Sequence, residues 1–380
     1  MMNRALFPLG KAYGKAFCNR VAETQLLVGN IQSGKHTLLI APRRYGKSSL
    51  AEKAIQASGL PFARANFHLC TSDEEVASLI KSCVISLIQS SIGPLNVVVP
   101  WVKKFLKSLH PRVSFLKDIA TLELISDAKE NYAVSIAETL LMLEGLLKEK
   151  HKKAVLFLDE FQEIANISQS TAIEGAIRTA AQELQHLTII FSGSIRSLLM
   201  GMFEDERRPL YKLCRKIHLE RISKEDYTQH LQAIAQDTWG VGLTGEAVEK
   251  ILSLSHCHPY FLNYLCDTLW QRFPSQSSVL PTSEDVADAW VQVLEEEWSD
   301  AVREISSLPM TQRRVMKSLA QSNASQMLSR DRVFELKLAQ SSIASALNAL
   351  LEKDYLEHRE GERYEIVNPV LQAALARSEP

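Results

Sequence analysis

Residues 37–50, TLLIAPRRYGKSSL, constrain the fold of this chain more than any other stretch. Leu38, Leu39, Ile40 and Ala41 form an apolar run short enough for a buried strand. Pro42 to Gly46 supply a turn, and Lys47, Ser48 and Ser49 lead into a helix over 49–57. Strand, glycine-bearing turn, lysine, hydroxyl and helix is the order of a phosphate-binding loop. An anion is stable there because the first backbone N–H groups of a helix lack intrahelical acceptors and the helix dipole favours negative charge. On this reading Lys47 reaches the β- and γ-phosphates of a nucleotide and the Ser48 hydroxyl completes a magnesium shell. Ala41 stands where the pattern G-x-x-x-x-G-K-[ST] begins with glycine, a place that alanine can take if its φ is negative.

A phosphate loop needs an acidic partner, and the run AVLFL at 154–158 delivers one, ending in Asp159-Glu160. A continuous apolar run is what a parallel strand covered on both faces looks like. Open α/β sheets place ligands at the carboxyl ends of such strands. Asp159 is then positioned to hold magnesium through water, and Glu160 to orient and activate the attacking water.

The 380 residues are enough for two or three domains. Strands are expected over 60–69, 188–191 and 216–219, interleaved with helices over 171–184 and 197–203, which predicts an open parallel sheet. From Thr71 or Ser72, a helix cap followed by Asp73-Glu74, the pattern to about Lys150 reads as helical, interrupted near Gly93-Pro94 and His110-Pro111. Within it, 84–102 carries no formal charge over the length of a membrane span, but Gly93, Pro94 and Pro100 break it. A helical hairpin on the core is expected there, with a peripheral membrane contact as the alternative. After Ser223 the strands stop, and 223–236, 244–255, 259–273 and 283–305 have helical spacing. Residues 306–309 read as a linker. Helices over 311–321, 330–336 and 340–353, then strands over 355–359 and 363–367 joined at Glu360-Gly361, have the order of a winged helix-turn-helix. The predicted fold class is therefore an α/β P-loop NTPase with a parallel sheet and flanking helices (1–222), an all-α lid (223–305) and a C-terminal winged helix (306–380).

Composition restricts the partners. A formal net charge of −1 supplies no global field for nucleic acid or acidic lipid, so any such binding must come from a local patch. The six cysteines show no C-x-x-C pairing, which points to reduced thiols in a cytoplasmic protein. The N-terminus carries basic residues without the long apolar core of a secretory leader. His256, Cys257 and His258 are adjacent, so their side chains diverge rather than converge on a metal.

Taken together these motifs resemble the archaeal-type ATPase family of the STAND branch of AAA-like P-loop NTPases, and the likeness spans nearly the whole chain. Phe17-Cys18-Asn19-Arg20 with Glu23 resembles that family's F-x-x-R-x-x-E. Pro42-Arg43-Arg44-Tyr45-Gly46-Lys47-Ser48-Ser49-Leu50 resembles its R-R-x-G-K-[ST]-S-L loop. Asp159-Glu160-Phe161-Gln162 resembles D-E-[FIV]-[QH], and Ser192-Gly193-Ser194 its G-S sensor turn. Pro209-Leu210-Tyr211 followed by Arg215 resembles P-L-Y-x-R, and Cys257-His258-Pro259-Tyr260 resembles G-[HN]-P-Y. Glycines of the family pattern are replaced by Ala41 and Cys257, and Arg215 falls two places late.

The resemblance implies roles. Pro42, Arg43, Arg44, Tyr45, Gly46, Lys47, Ser48 and Ser49 would line ATP, with Arg20 near the base. Ser48 and Asp159 would hold Mg2+. Glu160 and Lys47 would act in hydrolysis, and Ser194 would sense the γ-phosphate. Arg215 would contact phosphate in cis or across a subunit interface, with Arg196 in reserve. His258 and Pro259 would link the lid to the nucleotide. Simpler readings stand beside these: Ser194 as a helix cap, Arg215 as a surface ion pair, Pro259 as an N1 proline.

The resemblance implies a slow ATP-dependent switch that binds ATP or ADP, in which hydrolysis at Glu160 resets the lid and through it the winged helix, with nucleotide-dependent oligomerisation as an option. The winged helix also invites DNA. Its third helix, the expected recognition helix from Ala339, has no arginine, and its one lysine, Lys353, sits between Glu352 and Asp354. Gln340 and Asn348 could read bases, and Arg330, Arg332, Arg359 and Arg363 could touch phosphates. The wing also bears Glu357, Glu360, Glu362 and Glu365, which favours a protein partner. The alternatives are an ATP-controlled DNA-binding regulator and a nucleotide-gated scaffold with little turnover.

Overall fold

The computed structural model describes residues 6–93, 109–116, 119–126, 131–275, 279–321, 327–359 and 363–377. Two compact units are not separated by a single cut in the chain: one holds Val21–Ala41 and Lys47–Leu219, the other Met1–Arg20, Pro42–Gly46 and Glu220–Pro380.

The first of these units is α/β. Its strands are β1 (Thr37–Ile40), β2 (Phe62–Asn66), β3 (Leu109–Leu116), β4 (Ile119–Ser126), β5 (Ala154–Asp159), β6 (Leu187–Gly193) and β7 (Arg215–His218). Its helices are α1 (Val21–Gln32), α2 (Lys47–Ser58), α3 (Asp73–Ile92), α4 (Tyr132–Glu149), α5 (Ser170–Glu183) and α6 (Arg196–Glu204). Five strands pair in parallel in the order β2-β5-β6-β1-β7. Every residue of β1, β5 and β6 is buried, which is why these three appear as unbroken apolar runs. β7 closes one edge and buries only Ile217.

The helical reading of 71–150 is wrong in its middle. β3 and β4 form an antiparallel pair, from Leu109 opposite Ser126 to Leu116 opposite Ile119. The alternation of Val113 and Phe115 with Arg112 and Ser114, and of Leu122 and Leu124 with Thr121 and Glu123, has period two, the strand repeat. α3 does form, with the Ser72 hydroxyl accepting the Glu75 amide, and Gly93 ends it with φ 119°. It is long and apolar enough to cross a membrane by length and composition, yet Val76, Ile80, Val84, Leu87 and Ile88 lie in the α/β core. The part of 84–102 beyond Gly93 falls outside the described residues.

Glu144 of α4 secures the start of β6. Its buried carboxylate accepts the amides of Gln185 at 3.1 Å and of His186 and Leu187 at 3.0 Å, and meets the His186 ring at 2.8 Å. Burial alone would push this carboxyl up; the His186 and backbone hydrogen bonds together bring it below its ordinary value.

The second unit is mostly helical. α7 (Lys224–Trp239), α8 (Gly245–Ser255), α9 (Pro259–Arg272) and α10 (Ser283–Ser307) come first. α11 (Met310–Gln321), α12 (Arg330–Leu336), α13 (Gln340–Glu352), β8 (Leu356–Arg359), β9 (Arg363–Ile366) and α14 (Pro369–Arg377) complete it. Side-chain caps from Ser223, Thr244, Thr282 and Ser329 start four of the helices, Thr282 with Asp285 as a full capping box. The winged-helix order is present, with β8 and β9 antiparallel. The expected linker at 306–309 is a tight corner: α10 continues through Ser307, and Leu308 is buried. One core runs from Phe7 through Tyr227, Leu265 and Trp290 to Val315, Leu347 and Leu371. Phe7 reaches it by packing 4.7 Å from the Trp270 ring, and Asn263 donates to the Pro8 carbonyl at 2.9 Å.

Glu144→Ala strands three backbone amides at the head of β6, and we expect a loss of about 3 kcal/mol in stability, read as a lower midpoint in urea denaturation.

Candidate nucleotide site

Register sets the site. Ile40 lies opposite Gly193, Leu158 opposite Phe191 and Asn66 opposite Asp159, so the carboxyl ends of four strands meet at one edge of the sheet. Lys47 and Ser48 open α2 beside them. The buried Lys47 ammonium donates to the Ala41 carbonyl at 2.9 Å, and Ala41 is absent from the left-handed backbone region, as alanine there requires. Ser48 Oγ donates to Asp159 Oδ2 at 3.0 Å. Asp159 also accepts from Arg64 Nε at 3.0 Å and from the hydroxyl of Ser192. Its burial opposes ionisation, but the Ser192 hydroxyl and Arg64 hold its carboxyl below the ordinary range. A hydroxyl and a carboxylate at hydrogen-bond distance are the hard oxygen donors that a magnesium shell takes, so these residues fit that ion. Among the described residues no group of three or more His, Cys, Asp or Glu converges as a metal cage of its own.

Glu160 sits in left-handed backbone, φ 54° and ψ 42°, at the break between β5 and a 3-10 turn. Such a conformation in a non-glycine residue costs on the order of 1 kcal/mol and aims the side chain away from the strand direction. Its Oε2 accepts from the Ser194 amide at 3.1 Å, the Ser194 hydroxyl at 2.7 Å and Gln162 Nε2 at 2.8 Å. The Ser194 hydroxyl thus serves Glu160, and the cap position of α6 falls to Ile195 without a side-chain bond. Gly193 makes this possible, because a Cβ there would stand 2.0 Å from Gln162 Oε1. Gln162, Ser192 and Arg64 are site residues that sequence reading did not single out. Gln162 and Ser192 had a signal, their places in the D-E-F-Q run and the S-G-S turn, and Arg64 had none.

The loop Pro42–Gly46 is organised by the second unit, to which it belongs. Arg44 and Gly46 take left-handed backbone, with φ 66° and 84°. Arg44 stacks over the Tyr260 ring at 3.9 Å, while Arg43 is exposed. Tyr45 is buried, and its hydroxyl donates to Glu357 Oε2 of β8 at 3.0 Å. Arg221, also missed in the sequence, ties the neighbourhood together. It donates to the Tyr45 hydroxyl at 3.2 Å, to Glu357 Oε1 at 2.7 Å, to the His256 carbonyl at 2.6 Å and to the Val367 carbonyl at 3.1 Å. Arg20 donates to the carbonyls of Tyr45 at 3.4 Å and Glu220 at 2.6 Å. His258 packs 5.1 Å from the Tyr45 ring and accepts the Tyr260 amide at Nδ1, with Pro259 opening α9. His256 and Cys257 both have positive φ, 51° and 55°, so the turn takes the conformation that glycine favours, at a place where the resembled pattern has one.

Lys47, Ser48, Asp159, Glu160 and Ser194 are therefore brought together, and Ser49 is buried in α2 behind them. Arg215 is not with them. It begins β7 opposite Thr37, at the amino end of β1, and is exposed. The Pro209-Leu210-Tyr211 segment before it is pinned by Arg178, which donates to the carbonyls of Pro209 at 2.9 Å and Tyr211 at 2.6 Å. Arg196 is the first residue of α6 and half-buried.

No protein-family model matches the sequence, and no curated protein matches it either. The solved structures are more informative. The fold is shared with a Walker-type ATPase. That protein, from Pyrococcus abyssi, superposes with a TM-score of 0.69 at 17% identity, covering 97% of this chain and 99% of its own. The ORC2 protein of Aeropyrum pernix, in ADPNP–ADP complexes, superposes with a TM-score of 0.58 at 14% identity, covering 99% and 96%. The expected order, a parallel α/β sheet followed by a helical region and a small C-terminal β-hairpin, is thus shared over the full length.

Burial and the neighbouring Arg221 and Arg44 guanidinium groups lower His258 to about 3 from an ordinary 6.5. Below pH 6.5 the unfolded chain binds a proton that the folded chain refuses, so this residue removes about 1.4 kcal/mol of stability per pH unit as pH falls towards 3. Chemical denaturation at pH 7.5 and 5.0 should show a smaller acid loss in His258→Asn, whose side chain can still cap α9.

Proposed function

We propose that the chain is an ATP-dependent molecular switch of slow turnover, in which the nucleotide state is passed to the winged helix through the phosphate loop. The observation that carries this reading is the hydrogen bond from Tyr45, inside the loop that precedes Lys47, to Glu357 on the first strand of the wing. A loop that changes shape around phosphates cannot keep both that bond and the Arg44–Tyr260 stack unchanged. The Aeropyrum relative solved with ADPNP and ADP supports nucleotide as the ligand.

Lys47 and the amides at the start of α2 would hold the phosphates, and Ser48 with Asp159 would hold magnesium. Magnesium, when bound, offsets the charge on the β- and γ-phosphate oxygens. Glu160 would orient and activate water. To do so its carboxylate must leave the Ser194 hydroxyl and Gln162, which accounts for slow turnover and frees Ser194 to contact the γ-phosphate. Arg215, at the far end of its strand, suits contact across an interface between copies better than contact in cis.

The partner is a protein rather than DNA, because α13 offers no arginine to a groove. The acidic wing is weaker support than its charge count suggests, since Glu357 and Glu365 turn towards Arg221.

Lys47→Ala should abolish binding of a fluorescent ATP analogue. Glu160→Gln should bind ATP and hydrolyse it on the order of 10²–10⁴-fold more slowly than the parent. Hydrogen exchange over β8 and β9 should differ between ADP and a non-hydrolysable ATP analogue, and Tyr45→Phe should shrink that difference. Identical exchange in both nucleotides would end the switch reading while leaving an ATPase.

A further inference from the structure

Asp159 carries more donors than a magnesium-holding carboxylate can keep. Its Oδ2 alone accepts Ser48 Oγ at 3.0 Å and two nitrogens of Arg64, Nε at 3.0 Å and Nη2. Arg64 lies on β2 opposite Phe157, so Arg64, Phe157 and Asp159 share one face of the sheet. The guanidinium passes over the Phe157 ring at 5.7 Å, and its Nη1 stands 3.6 Å from Glu52 of α2. It therefore has a carboxylate on either side and an aromatic face beneath. The Arg64 side chain is 25% exposed against 2% for Asp159, so it has room to swing while the aspartate does not.

We propose that Arg64 is a tethered cation that competes with magnesium for Asp159. This rests on the nucleotide reading of Lys47, Ser48 and Asp159 given above. A guanidinium stays charged at any working pH, and its fork matches a carboxylate edge. Arg64 cannot be neutralised in place, so a divalent cation that takes Oδ2, directly or through a bound water, must displace it. Glu52, already in contact, is where the displaced guanidinium goes. Metal binding is thereby set against an internal ion pair, and Asp159 keeps a counter-charge whether or not magnesium is bound. The threshold for magnesium in nucleotide binding then depends on two residues outside the phosphate loop, Arg64 and Glu52.

The test is a magnesium titration of fluorescent ADP binding, in wild type, Arg64→Gln and Glu52→Gln, with an arm in EDTA. Arg64→Gln should lower the half-saturating magnesium concentration about tenfold, a coupling of about 1.4 kcal/mol. Glu52→Gln, which removes the second berth, should raise it. A residue that merely supports the fold would not move the midpoint in opposite directions in the two variants. Thermal melting gives a second readout: in EDTA Arg64→Gln should melt below wild type, because a buried carboxylate loses its partner, and it should gain more from magnesium with ADP. An unchanged or raised midpoint in Arg64→Gln would overturn the proposal, and would make Arg64 a residue that orients Asp159 for the metal. If Arg64→Gln does not fold, an unchanged or lowered midpoint in Glu52→Gln overturns it equally. Absence of ADP binding in wild type, in EDTA and in magnesium alike, would instead remove the nucleotide reading beneath it.

Discussion

A guanidinium that is 6% exposed must be answered by acceptors, and the helical unit is arranged to answer Arg221. The acceptors come from three places distant in sequence: the turn at His256, the strands of the wing, and Tyr45. None of these can be withdrawn without leaving a buried charge short of partners. The requirement fixes the positive-φ turn at His256-Cys257 against the wing and draws two of the wing's glutamates inward. Burial first, then this charge and Arg44, keep His258 neutral, and a neutral imidazole is what can accept the Tyr260 amide and start α9.

The α/β unit follows a similar rule with the sign reversed. Asp159 is buried as an anion, and its compensation comes from Arg64, Ser192 and Ser48. Glu160 is met by Ser194 and Gln162. In both units the groups that would handle a nucleotide are already engaged by the chain's own side chains. Any ligand there has to exchange one set of partners for another.

Much of this was legible in the sequence because the strands that matter are buried on both faces. Runs such as AVLFL before Asp159 and TLLI before the loop survive translation into structure without knowledge of their neighbours. Lys47, Ser48, Asp159, Glu160 and Ser194 sit at the ends of those runs, so strand ends located them. Arg64, Arg221 and Glu357 were invisible for the opposite reason: their significance depends on which strand lies beside which, and on a contact spanning 312 residues between Tyr45 and Glu357. The β3–β4 pair was not legible because Pro111 in its first strand reads as a helix interruption rather than as part of a strand. A count of the wing's charges does not say which carboxylates face inward, and Glu357 and Glu365 do.

The shared core of the helical unit has a consequence for how that unit comes apart. Ala301 and Leu308 belong to the same apolar core as Val286 and Trp290 on one side and Val315 and Leu371 on the other. The winged helix is therefore not a detachable module. A chain shortened after Ser307 would bare the apolar stripe of α10, and the isolated C-terminal segment would lose the surface on which α11 and α14 rest. The helices before and after Ser307 should melt as one cooperative block, and truncations in this region will register as loss of the whole unit rather than of one part.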